Sequence, residues 1–406
     1  MWVRFKRVCS RLFFVSVFIG GCTPALKMPP PIPEFNLDAF RDDLGADSLR
    51  AAISQSKSYL SKLPRARVVG EQPRHWTADE ALAALSALEP LLDQWSCTAC
   101  IVKGLRERFD LLPSSAEPQQ AEVLFTGYYQ PVIDGSPMPT EEYRYPLYAK
   151  PADLIAATLV SVVPELKSET VYGRAVGEQF LPYYTRREID QGGALRSRGL
   201  ELAWVKDPVD LFFLHVQGSG IIHFPDGTQL SVGYTAQNGL PYRSIGRFLI
   251  DNGKLSREEM SMQRLRRYLT EHPDERDEIL AYNESYVFFQ VLRDGPLGSL
   301  GVPVTAGRTV ATDWRLFPKG ALALIQTQIP IIDEAGRLKS WRPVTRFVLN
   351  QDTGGAIRGP QRGDLYFGTG DQAGGLAGYM NSSGRMFFLR AKDVEGGMKD
   401  EGGRVK

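Results

Sequence analysis

The residues best suited to acid–base chemistry lie in Gln351-Asp352-Thr353-Gly354-Gly355-Ala356-Ile357-Arg358-Gly359-Pro360-Gln361-Arg362-Gly363-Asp364-Leu365-Tyr366-Phe367-Gly368. Two aspartates flank a glycine-dense loop, and a third, Asp313, ends Thr309-Val310-Ala311-Thr312-Asp313. An aspartate acts as a general acid near neutral pH only when its pKa is raised, which apolar surroundings or a second carboxylate can do. Asp364 runs into Leu365-Tyr366-Phe367, an apolar setting. Asp352 is followed by Thr353 and glycine amides, whose N–H groups should stabilise a carboxylate and hold its pKa down. Local chemistry thus nominates Asp364 as the acid and leaves Asp352 ionised. The competing reading is that both merely cap glycine turns.

Other constellations are weaker. Phe125-Thr126-Gly127-Tyr128-Tyr129-Gln130-Pro131-Val132 could stack aromatic faces on sugar rings and offer them hydroxyl and amide groups, or could be a buried aromatic strand end. His215 and His223 lie in apolar runs without a ligand set, and read as structural histidines. No Gly-x-Ser-x-Gly elbow, phosphate-binding loop or complete dinucleotide fingerprint is present. The formal charge is +1, which argues against a nucleic-acid partner.

The elements that must hold these residues are mostly short strands. Phe212–Val216 reads as a strand, Ile221–Phe224 and Gln229–Val232 as a hairpin about Pro225-Asp226-Gly227, and 308–311, 321–325 and 346–349 as further strands. Helices are expected where Leu49, Ala52, Ile53, Ser56, Tyr59, Leu60 and Leu63 recur before Pro64, and after the capping box Thr77-Ala78-Asp79-Glu80, with Pro90 a break or kink. A third is expected from a capping box at Ser256 through Leu265 and Leu269 to Pro273, with Arg264, Arg266 and Arg267 on a solvated face. Many short strands with glycine corners suggest barrels rather than a doubly wound sheet.

The chain opens with Arg4, Lys6, Arg7 and Arg11 and a short apolar run over 12–19, too short to span a bilayer and typical of a signal peptide. Ile19-Gly20-Gly21-Cys22 resembles the lipobox of bacterial lipoproteins, which implies a signal over 1–21 and a lipidated Cys22. Thr23 after that cysteine implies sorting to the outer membrane, periplasmic face. Prolines 29, 30, 31 and 33 make a stiff stalk within 22–45. Cys97-Thr98-Ala99-Cys100 is read as a short-loop disulfide or two free thiols in an oxidising compartment, without the partners that zinc needs. The charged, glycine-rich tail 393–406 reads as disordered.

Taken together, the Thr309–Asp313, Asp352–Gly359 and Arg362–Gly368 motifs resemble the "3D" domain, named for three aspartates. Phe125-Thr126-Gly127-Tyr128-Tyr129, His215-Val216-Gln217-Gly218-Ser219-Gly220 and Ser285-Tyr286-Val287-Phe288-Phe289 resemble further signatures of the membrane-bound lytic transglycosylase A family. The resemblance covers roughly 105–392. It implies a mainly β fold with a few helices: a double-psi β-barrel from 46–130 plus 295–392, a smaller β-domain inserted at 131–294, and a glycan groove between them. It also implies cleavage of the N-acetylmuramic acid–N-acetylglucosamine bond of peptidoglycan with 1,6-anhydro ends. Asp364 would be the single catalytic carboxyl, Asp352, Thr126, Tyr128, Gln217 and Asp313 supporting or binding groups, with no cofactor or metal. The expected partners are peptidoglycan strands, the membrane through the anchor and a wall-synthesis complex, for a monomeric enzyme. Two alternatives stay open: a hydrolase using Asp352 and Asp364 as a pair, and a wall-binding protein without activity.

Overall fold

The computed structural model describes residues 29–30, 35–115, 122–158, 170–293 and 295–392. The expected signal, Cys22, most of the stalk and the tail lie outside those residues.

Six strands close a barrel. Leu322–Ile332 and Leu338–Asp352 form a long antiparallel hairpin, and Leu338–Asp352 runs parallel to Thr309–Ala311. Thr309–Ala311 is antiparallel to Arg362–Thr369, which is parallel to Val123–Gln130. Asn381–Ala391 pairs with Val123–Gln130 and then with Leu322–Ile332, closing the ring. A seventh strand, Phe109–Pro113, flanks Asn381–Ala391. Closure leaves no long open edge and fixes the register of every strand.

Helices Ala46–Leu60 and Ala78–Leu92 cover the barrel, and Leu49, Ile53, Leu85 and Leu88 join Phe347, Leu349 and Phe388 in its core. The 3–4 spacing of apolar residues is what places them there. The expected capping box forms: Thr77 Oγ1 accepts from Glu80 N at 3.2 Å, and Glu80 Oε2 accepts from Thr77 N at 2.9 Å. Pro90 does not end the second helix, which continues to Leu92. Cys97 and Cys100 are disulfide-bonded at the start of helix Thr98–Arg108.

At Gln130-Pro131 the chain leaves the barrel for a second sheet, ordered Val287–Val291, Gln229–Gln237, Ser219–His223, Val132–Ser136, Glu201–Val205 and Tyr145–Tyr148. The expected hairpin at 219–237 is present. Phe212–Val216 is not a strand: it belongs to helix Pro208–Gln217. Asp207 caps that helix by accepting from Val209 N at 2.8 Å, Pro208 opens it, and Gly218 ends it at φ +77°. Such start and stop signals outweigh a short apolar run. The third expected helix also begins later. Ser256 closes a local turn with Glu259, while Ser261, fully extended, accepts from Arg264 N at 3.1 Å and caps Met262–Glu271. Of the three arginines on it only Arg267 is solvated; Arg266 pairs with Asp210 over the Phe213 ring, and Arg264 is half-buried.

Candidate active site

Register builds the site. Thr126 stands opposite Asp364, Asp364 opposite Ala311, and Ala311 opposite Asp352, a row across four neighbouring barrel strands. With one strand between them, the two aspartates are about 10 Å apart at the backbone. Gly127 keeps the row close to helix Gly370–Tyr379: a Cβ there would sit 2.7 Å from the Phe367 ring and 2.8 Å from Ala377 Cα.

The two carboxyls are treated differently. Asp352 Oδ1 accepts from Ser299 N at 2.9 Å and Thr353 N at 2.8 Å, and its Oδ2 accepts from the Tyr128 hydroxyl at 2.8 Å. Asp364 Oδ1 accepts from Thr126 Oγ1 at 2.8 Å. Among the described residues Asp364 Oδ2 has no hydrogen-bond partner, and it reaches solvent. One carboxyl is thus braced by three donors, and the other keeps an oxygen free for a ligand.

Electrostatics follows burial. Desolvation raises the Asp364 pKa to about 6, against the Thr126 hydrogen bond and the Arg362 charge, and the Asp352 charge adds to the rise. The expected depression at Asp352 is not found. Desolvation raises its pKa too, outweighing the Thr353, Tyr128 and Ser299 donors. Burial of the whole row dominates over local amides. Of the expected amides Thr353 N does donate, while Ser299 N and the Tyr128 hydroxyl stand where glycine amides were expected. Tyr128 is pushed well above its ordinary value by burial and by Asp352, so it stays a donor.

The remaining nominated residues divide. Gln217 Oε1 accepts from Tyr129 N at 3.0 Å, tying helix Pro208–Gln217 to the Thr126 strand, and Gln217 remains half-exposed. Asp313 carries bonds of its own. It is buried and accepts from Arg315 N at 3.1 Å and Gly359 N at 2.9 Å, pinning the loop between the two other aspartates. His215 is buried in its helix, bonded to Arg186 Nη1 at 3.0 Å, and held well below its ordinary pKa by burial and that arginine. His223 is exposed. Among the described residues no three His, Cys, Asp or Glu side chains gather as a metal would require.

Two participants escaped the sequence reading. Arg362 Nη2 donates to Thr126 Oγ1 at 3.3 Å. Its position two residues before Asp364, on the same face of one strand, was the signal. Ser299 comes from the segment that returns from the second sheet, and no local signal marks it.

Residues 124–290 match the family model described as the MltA specific insert domain, and 308–390 match the 3D domain. The membrane-bound lytic murein transglycosylase A of Escherichia coli K12 is 36% identical over 271 residues, 66% of each chain. A crystal structure of a membrane-bound lytic murein transglycosylase from Agrobacterium tumefaciens is 31% identical with a TM-score of 0.70, covering 86% of this chain and 97% of that one. That of E. coli MltA with bound chitohexaose gives 27% and 0.67, covering 90% and 96%. With the site row, the closed barrel and both domain models in agreement, the chain belongs to the membrane-bound lytic murein transglycosylase A family.

Proposed function

We propose that the protein cleaves the β-1,4 bond between N-acetylmuramic acid and N-acetylglucosamine in peptidoglycan and leaves 1,6-anhydromuramic ends. We take 46–130 with 295–392 as the catalytic body and 131–294 as the insert, with the glycan between them and Cys22 as a lipid anchor to the outer membrane. The membrane-bound name of the relatives supports the anchor.

One observation carries the chemistry: a single carboxyl with a free oxygen and a pKa raised to about 6. At pH 7 a group of that pKa is protonated about a tenth of the time, roughly a hundredfold more than an ordinary aspartate. Protonated Asp364 gives its proton to the glycosidic oxygen as the C1–O bond breaks. The resulting carboxylate then removes the proton from the muramic C6 hydroxyl, whose oxygen closes on C1. Electrons and protons balance without water, and Asp364 ends protonated for the next cycle. Thr126 fixes the orientation of Asp364, and Tyr128 with Asp352 braces the neighbouring strand.

A carboxylate-pair hydrolase would need the second carboxyl to activate water. Asp352 has both oxygens engaged by protein donors. Digestion of purified sacculi followed by mass spectrometry tests the proposal. Muropeptides lighter by one water, absent with Asp364→Asn, are expected; unchanged release by that variant would remove Asp364 from the reaction.

A further inference from the structure

Away from the Asp364 row, the inserted region holds a separate cavity of about 480 Å3, within the range of small-molecule sites. Its floor is apolar, made by Tyr148, Trp204, Leu211 and Phe212. Most charges around it are already engaged. Arg187 Nη1 and Nη2 each donate to Glu278 at 2.6 Å, and Asp277 accepts from Arg276 at 3.0 Å. Arg186 is spent on the main-chain oxygens of Asn283 and Ser285 and on His215.

Two guanidinium groups remain. Arg144 and Arg196 line the cavity, are exposed, and make no ion pair or side-chain hydrogen bond among the described residues. A free guanidinium presents a planar fork that matches a carboxylate. Asp190, also in the wall, lies 3.5 Å from Arg186, yet desolvation raises its pKa.

We infer that this cavity binds the carboxylate end of a short peptide, its last side chain on the apolar floor and its carboxylate on Arg144 and Arg196. Identifying the source as a peptide stem of murein rests on the transglycosylase reading. Geometry supports the reach. Helix Pro208–Gln217 starts at the cavity with Pro208, Leu211 and Phe212 and ends at Gln217, which holds the strand of Thr126. Ten helical residues span about 15 Å, and an extended peptide of four or five residues spans about 13–18 Å. Three strand residues from Tyr129 to Thr126 add up to about 10 Å, so the cavity lies within about 25 Å of Asp364, and the stem that arrives is one rooted on a sugar displaced along the groove from Asp364 toward the cavity.

The test is calorimetric titration of the full chain in detergent with a synthetic tetrapeptide bearing a free C-terminal carboxylate, and with its C-terminal amide. Saturable binding of the acid is expected, at least tenfold weaker for the amide and for the R144Q/R196Q double variant, and unchanged by Asp364→Asn. Absence of saturable binding to the wild type, or equal binding of acid and amide, overturns the inference, as does wild-type affinity in a double variant that melts normally. Should that variant not fold, the acid–amide comparison on the wild type decides alone. Cleavage of peptide-free glycan without peptide binding sinks only this inference; peptide binding without any cleavage sinks only the transglycosylase reading.

Discussion

Asp364→Asn should abolish activity and make the protein more stable, progressively above about pH 4 and fully above about pH 7. The rise of the Asp364 pKa from 3.8 to about 6 means that the folded state favours the protonated carboxyl by about 3 kcal/mol, at 1.36 kcal/mol per unit. The sign follows from linkage. Between those two values the folded state binds more protons than the unfolded state, so stability falls as pH rises through the interval. Below about pH 4 both states are protonated and nothing is lost. Above about pH 7 the full penalty stands, reduced where the groove lets water reach Oδ2, so about 1–3 kcal/mol is expected. Asparagine keeps an oxygen for the Thr126 hydroxyl and carries no charge, so it removes the penalty. Thermal unfolding at pH 4 and pH 7.5 reads this directly. The variant should melt about 2 °C or more above the wild type at pH 7.5 and level with it at pH 4. A variant destabilised at pH 7.5, or equally stabilised at both, would refute burial as the cause of the raised pKa.

Thr126→Val removes the one hydrogen bond to the Asp364 carboxyl among the described residues. The basic limb of the kcat/KM profile should move up by about 1–2 pH units, the equivalent of one charged hydrogen bond, and an unmoved limb counts against the pairing. Asp352→Asn leaves Tyr128 and two backbone donors with a weaker acceptor. A partial loss of anhydro-product release, smaller than for Asp364→Asn, is expected in the same assay, and wild-type turnover would make Asp352 merely structural. Gly127→Ala drives a methyl into Phe367 and Ala377; chemical denaturation should show a loss of about 1–3 kcal/mol, and an undisturbed midpoint would mean that the helix shifts freely.

Much of this site was legible because the barrel row repeats a local pattern. Asp364 precedes an apolar strand, and Thr126 lies in an aromatic one. The pairing of those two strands joins residues 238 positions apart, which only closure of the barrel reveals. Asp352 was misjudged because neighbouring amides were weighed without the burial that the fold imposes on the whole row. Asp313 has the residue type of an acid, but backbone N–H groups occupy it. The helix at Pro208–Gln217 was missed because four apolar residues in succession look like a strand, although Asp207-Pro208 and Gly218 bracket a helix.

The central claim is that one carboxyl serves twice and water takes no part. Digestion of sacculi in water enriched in heavy oxygen tests it most directly. The mechanism predicts 1,6-anhydromuramic ends without the label. Reducing muramic ends carrying the heavy oxygen at C1 would contradict it.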